Sequence, residues 1–213
     1  MTPQVKICGL MRRADVATAV EAGADYGGVI LATGRARSVR AARAGDIFDG
    51  FDLRRVGVFV DESISDLLAA AEIARLDVVQ LHGDENAGYV EEVRRAGTWR
   101  VWKALRLSGS ADFPADIAGW EGIADGILLD GWSPLAEGGT GTAFDWAAAA
   151  VHRDRIPAGL DLIVAGGLRP DNVRAAVDLL HPAVIDVSSG VESAVGVKSS
   201  DLVHQFIRRV HAL

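Results

Sequence analysis

The sequence predicts an α/β protein folded as a closed (βα)8 barrel, with eight parallel strands in a single domain covering residues 1–213. Three observations carry that reading. Short β-type runs alternate with helix-type segments eight times along the chain. A chain of 213 residues fits one barrel of this kind. The glycine-rich dinucleotide turn expected of an open doubly wound sheet is missing after the first strand.

The strands are expected at residues 5–8, 26–31, 55–60, 78–81, 100–104, 127–130, 162–165 and 184–187, where apolar and β-branched residues cluster between turn signals. In the first, Val5 and Ile7 share one face and Lys6 and Cys8 the other, because strand side chains alternate. The segment 15–22 places its apolar residues at helical spacing and stops at Gly23. Residues 63–74 repeat the pattern, with Ser63 or Ser65 as cap and Leu67, Leu68 and Ile73 as the apolar face. After the fifth strand the helical segment 111–120 is short and interrupted by Pro114. Pro170 suits a first helical turn ahead of Val173, Ala176, Val177 and Leu180, and residues 201–210 form a final helix.

Composition narrows the function classes. Hydrophobic residues make up 49% of the chain, enough for a sizeable core, and no long Pro/Gly/Ser-rich stretch marks a linker. A net charge of −7 argues against a nucleic-acid partner, which needs clustered Lys and Arg, so an anionic ligand must be held locally. No apolar run approaches the ~20 residues that span a bilayer, and no charged-then-apolar leader precedes the first strand, so neither a membrane partner nor secretion is expected. With one cysteine no internal disulfide can form. The expectation is a soluble, cytoplasmic monomer or homodimer acting on a small phosphorylated molecule.

Chemistry in such barrels sits at the C-terminal ends of the strands. Cys8 closes the first strand and Asp130 the sixth, so the two emerge at one rim, where they can act as a proton-transfer pair. Lys6, on the cysteine's own face, is expected to lower the thiol pKa towards neutrality. Gln80 and His82 share a face of the fourth strand and point to the same mouth, as further substrate contacts. Three small-residue loops follow the sixth, seventh and eighth strands: Gly139, Thr140 and Gly141; Gly166 and Gly167; Ser188, Ser189 and Gly190. Glycine lets backbone N–H groups approach an anion and serine adds donors, so these loops read as a phosphate cradle. The loops after the third and fourth strands bring acids instead, which favours one phosphate rather than two.

Taken in order, Lys6-Ile7-Cys8-Gly9, Val56-Gly57-Val58-Phe59, Val79-Gln80-Leu81-His82-Gly83, Lys103-Ala104, Leu128-Leu129-Asp130, Gly138-Gly139-Thr140-Gly141, Phe144-Asp145-Trp146, Ala165-Gly166-Gly167-Leu168 and the run from Asp186 to Glu192, followed by Gly196-Val197-Lys198, resemble the phosphoribosylanthranilate isomerase family of tryptophan biosynthesis. The resemblance implies a TIM barrel without metal or other cofactor. It also implies the Amadori rearrangement of N-(5'-phosphoribosyl)anthranilate to 1-(2-carboxyphenylamino)-1-deoxy-D-ribulose 5-phosphate. It makes Cys8 the general base, Asp130 the general acid, and Arg37 the group that holds the anthranilate carboxylate. The family's Ser-Pro-Arg tripeptide after the second strand lacks its proline here, so Arg35 remains a rival for Arg37 and the loop is expected to be more mobile. Two other readings compete. One is another phosphate-sugar barrel enzyme, either an epimerase, which would need paired acids and histidine metal ligands, or an indole-glycerol-phosphate synthase, which would need a lysine acid with glutamate partners that Lys103 alone does not supply. The other is a binding protein that keeps the cradle without chemistry.

Overall fold

In the computed structural model, which describes residues 2–107, 117–131 and 146–212, eight parallel strands pair in sequence order and close on themselves. They are β1 (Gln4–Ile7), β2 (Tyr26–Ile30), β3 (Arg54–Phe59), β4 (Val78–Leu81), β5 (Arg100–Leu107), β6 (Gly126–Gly131), β7 (Asp161–Val164) and β8 (Val184–Val187). Closure comes from β1 pairing with β8, where Lys6 lies in register with Asp186. The amide of Cys8 continues that ladder to the Val187 carbonyl at 2.8 Å, so Cys8 sits at the rim one residue past its strand.

The helices α1 (Arg13–Ala22), α2 (Ala41–Phe48), α3 (Ile64–Ala74), α4 (Ala87–Ala96), α5 (Trp146–Ala150), α6 (Val173–Leu180) and α7 (Ser200–His211) alternate with the strands. Gly23 ends α1 in the left-handed region at φ 92°. Ser63 rather than Ser65 caps α3, accepting from the Asp66 amide at 3.1 Å. Pro170 differs from expectation: α6 starts only at Val173, and Pro170 lies in the turn before it. Of the segment 111–120, only a 3-10 turn at Ile117–Trp120 falls within the described residues. β5 runs to Leu107, three residues beyond the expected end, because Arg106 and Leu107 pair with Asp130 and Gly131 of β6.

Alternation along each strand sorts the side chains into two cores. Val5, Ile7, Val29, Val79, Leu81, Ile127, Leu129, Val164 and Ile185 face the helices, while Tyr26, Val56, Val78, Trp102, Leu128, Ile163 and Val184 fill the barrel interior. Each fully buried aliphatic side chain contributes ~1.5–3 kcal/mol relative to exposure. Tyr26 and Trp102 meet edge to face, with ring centroids 5.1 Å apart. Above this apolar plug the inward positions turn polar: Lys6, Gln80 and Asp186, then Cys8, His82 and Asp130 at the mouth. After β8 a short hairpin, β9 (Glu192–Ala194) and β10 (Val197–Lys198), folds back beside it. Among the described residues, no helix is long and apolar enough to cross a membrane.

Candidate active site

Lys6 stands in the layer just beneath the mouth, with no exposed surface. Its ammonium donates to Asp186 Oδ2 at 2.7 Å and to Gln80 Oε1 at 2.8 Å. Burial alone would lower its pKa, but the anionic Asp186 and the neighbouring Cys8 outweigh burial and hold it above the usual lysine value. The Cys8 thiol moves the other way from the sequence expectation. Burial pushes it above its ordinary value, Asp186 adds to that, and Lys6 and Lys198 recover only part of the shift. Lys6 pulls the thiol down by more than Asp186 pushes it up, but burial outweighs that pull. Gly28 of β2 makes the arrangement possible: a Cβ there would stand 2.8 Å from Lys6 Cε and 3.0 Å from Cys8 Sγ.

Gln80 carries the network onward from Lys6. Its Nε2 is 3.0 Å from His82 Nδ1, and His82 Nε2 is 3.1 Å from Asp130 Oδ2. Asp186, Lys6, Gln80, His82 and Asp130 thus form one hydrogen-bonded chain from β8 through β1 and β4 to β6. Arg106, inward on β5, donates to the His82 carbonyl at 2.7 Å and fixes that edge of the mouth.

The loop after β2 brings Arg37 to the mouth, folded over Gly9 next to Cys8, while Arg35 is exposed to solvent. Arg37 Nε and Nη2 donate to the two carboxylate oxygens of Glu192 at 2.8 and 2.7 Å. Lys198 donates to the same carboxylate at 2.9 Å and to the Ser188 carbonyl at 3.0 Å. Burial would raise the Glu192 carboxyl, but the Arg37 and Lys198 bonds hold it below its usual value, and the Glu192 bond raises Arg37. Where the family's proline is missing, Ser38 Oγ closes the loop by donating to the Ala32 carbonyl and accepting from the Arg35 amide.

Gly166 and Gly167 follow β7 with φ of 82° and 64°, a left-handed pair that glycine adopts without strain. Ser188, Ser189 and Gly190 follow β8, and the two loops touch: a Cβ on Gly190 would lie 1.8 Å from the Leu168 carbonyl oxygen. Gly139, Thr140 and Gly141 lie outside the described residues.

Residues 5–209 match the family described as N-(5'phosphoribosyl)anthranilate (PRA) isomerase. The chain belongs to that family. A relative named N-(5'-phosphoribosyl)anthranilate isomerase from Geobacter sulfurreducens is 42% identical over 212 residues, covering 97% of each chain. The phosphoribosyl anthranilate isomerase of Thermotoga maritima superposes with a TM-score of 0.89 at 35% identity, covering 99% of this chain and 100% of that one. A phosphoribosyl anthranilate isomerase solved with reduced 1-(o-carboxyphenylamino)-1-deoxyribulose 5-phosphate superposes with a TM-score of 0.85 at 33% identity, with 99% and 100% coverage.

In this member of the isomerase family the structure brings Cys8, Asp130, Arg37, Gln80, His82 and the two described glycine loops to one end of the barrel. Lys103 is not among them. It takes the outward parity of Val101, and its ammonium is buried between the Gly83 carbonyl at 2.7 Å and Glu85 Oε2 at 2.8 Å. A synthase-like lysine acid is therefore absent from that position. Three site residues had been given no role from sequence. Asp186 was legible, since alternation places Val184, Asp186 and Ser188 on one face just as it places Lys6 and Cys8. Glu192 and Lys198 were not, because their meeting depends on the register of a hairpin with an irregularity between Val197 and Lys198.

Proposed function

We propose that this isomerase opens the ribose ring of N-(5'-phosphoribosyl)anthranilate with Asp130 as general acid and rearranges it to the aminoketose with Cys8 as general base. The observation that carries the assignment is that Cys8 at the end of β1 and Asp130 at the end of β6 share one mouth. A single hydrogen-bonded frame links their surroundings, and Arg37 and the glycine loops after β7 and β8 flank it. Asp130 in its acid form gives its proton to the ring oxygen as the C1–O bond breaks, and the anilinic nitrogen lone pair forms a protonated imine. That cation acidifies the proton on C2, and Cys8 thiolate removes it, leaving an enolamine. Loss of the O2 proton and protonation at C1 then complete the ketone. Positive charge developing on the substrate nitrogen offsets the burial that holds the free thiol protonated.

Arg37 binds the anthranilate carboxylate. Its Nε/Nη2 edge is occupied by Glu192, which leaves Nη1 as the donor offered to the ligand. Gly166, Gly167, Ser188, Ser189 and Gly190, with Gly139, Thr140 and Gly141, cradle the single phosphate. Gln80 and His82 complete the floor of the pocket. The working enzyme is a cytoplasmic monomer or homodimer folded as one domain.

The test follows the loss of fluorescence of freshly prepared phosphoribosylanthranilate. Cys8→Ser and Asp130→Asn should each lower kcat by at least ~10²-fold with much smaller changes in KM, as expected of groups that act in the transition state. Near-normal turnover in either variant removes its role. Tight substrate binding with no turnover by the wild type would favour a binding protein instead. Because burial raises the thiol, kcat/KM should keep rising with pH through and beyond 9.0, the ordinary thiol value, and Cys8→Ser should lose that limb.

A further inference from the structure

The hydrogen bonds across the mouth have a direction that the chemistry of their groups imposes. An ammonium only donates, so the atom of Gln80 facing Lys6 Nζ at 2.8 Å is the carbonyl oxygen. The other end of that amide is then an NH2 group, which also only donates, and it lies 3.0 Å from His82 Nδ1. Nδ1 must accept with its lone pair, so the ring proton resides on Nε2, 3.1 Å from Asp130 Oδ2. The opposite arrangement, with a proton on Nδ1, would set two N–H groups head to head at 3.0 Å.

We propose that Lys6, Gln80 and His82 act as positioning residues for Asp130: they hold Oδ2 as an acceptor of His82 Nε2–H, so that Oδ1 is the oxygen carrying the proton delivered to the substrate. The inference rests on the reading of Asp130 as general acid and assigns the atom through which it works. Oδ1 lies against Gly166, where a Cβ would stand 2.8 Å away, so the donating oxygen faces the β7 side of the mouth beside the loop assigned to the phosphate. An acid whose two oxygens are distinguished in advance loses no orientation when the ring oxygen arrives. Gln80 and His82 thus gain a role beyond touching substrate. Lys6, anchored by Asp186 at 2.7 Å, sets the polarity of the whole chain.

The wild type itself gives the first readout. Selective 15N labelling of the five histidines, with His82 assigned by its disappearance in His82→Gln, should show Nε2 protonated and Nδ1 unprotonated. A protonated Nδ1 overturns the proposal. Gln80→Glu reverses the polarity at nearly constant shape, because a carboxylate can accept from both Lys6 and His82 Nδ1–H. It should move a proton onto Nδ1, lower kcat by ~10-fold or more with KM changed less than ~3-fold, and shift the pH profile of kcat. His82→Gln, which keeps an N–H donor near the Nε2 position, should retain kcat within ~5-fold, and His82→Leu should not. Wild-type kcat in Gln80→Glu, or lost kcat with an unswitched His82 spectrum, overturns the relay. If Asp130→Asn turns over normally, the acid assignment fails instead; if Asp130→Asn is inactive and Gln80→Glu is normal, only the relay fails.

Discussion

The balance of charges around single side chains decides what Arg37, Glu192 and Cys8 do. Arg37 is mostly buried and bonded through one edge, whereas Arg35 is exposed, so the carboxylate contact is expected from Arg37 alone. Losing a desolvated guanidinium–carboxylate contact costs about 2 kcal/mol or more, so Arg37→Ala should reduce kcat/KM by ~30-fold or more and Arg35→Ala by less than ~2-fold. A substrate analogue lacking the carboxylate should bind wild type and Arg37→Ala about equally. A reversed ranking of the two alanine variants would transfer the role to Arg35. Glu192→Gln should fall between them, since it leaves Arg37 in place but loosens its aim. The Glu192 carboxyl lies below its ordinary value of 4.5, so its stabilising contribution is present above that pH and lost as pH falls through the lower folded value. Glu192→Gln should therefore flatten the acid limb of a stability–pH curve. Period-two alternation made Lys6 and Cys8 legible as neighbours, but not the state of the thiol: burial outweighs the lysine's pull, and Asp186, 180 residues from Lys6 in sequence, adds to the rise.

Apart from the end of β5, the strands were readable to within a residue because each is a short apolar run bounded by turn residues, and a closed ring leaves no edge strand to vary. Connecting elements were read less well. α6 begins after Pro170 rather than with it, because Asn172 closes the preceding turn by accepting from the Arg169 amide at 2.7 Å through its side chain. The β9–β10 hairpin gave no signal, since strands of three and two residues are too short to show a period. That hairpin nevertheless brings Glu192 and Lys198 to Arg37, so under the proposed roles the loop after β8 is expected to serve carboxylate and phosphate together. The loops after β7 and β8 are expected to act as one element because Gly190 has no room for a Cβ beside the Leu168 carbonyl. Gly190→Ala should push them apart and weaken binding of substrate and inorganic phosphate by similar factors, on the order of 10-fold, read as KM and as the inhibition constant of phosphate. Unchanged affinity for both would place the cradle elsewhere. A change confined to substrate would show that Gly190 governs the carboxylate end.

At the scale of the whole molecule, the chain from Asp186 to Asp130 ties β8, β1, β4 and β6 together through the barrel axis, above an apolar plug shared by nearly every strand. Such a ring is not expected to open in parts. Far-UV circular dichroism and tryptophan fluorescence should report one coincident urea transition, the behaviour of a single domain, and two separated transitions would divide the barrel into smaller units. Lys6 is the residue on which this unity depends most, since its charge is wholly buried and its partner Asp186 is nearly so. Lys6→Met keeps the length and apolar volume of the stem but leaves the Asp186 carboxylate buried without its counter-ion, which should cost about 3–5 kcal/mol and move the midpoint to lower urea. Lys6→Met combined with Asp186→Leu removes both charges and should recover much of that loss. The Cys8 thiol adds a pH signature to the same measurement. Its folded value lies above 9.0, so its contribution is fully present below that pH and is lost as pH rises through the folded value. Wild type should therefore lose stability on the alkaline side more steeply than Cys8→Ala. Equal slopes for the two proteins would show that the thiol is not held protonated by the fold.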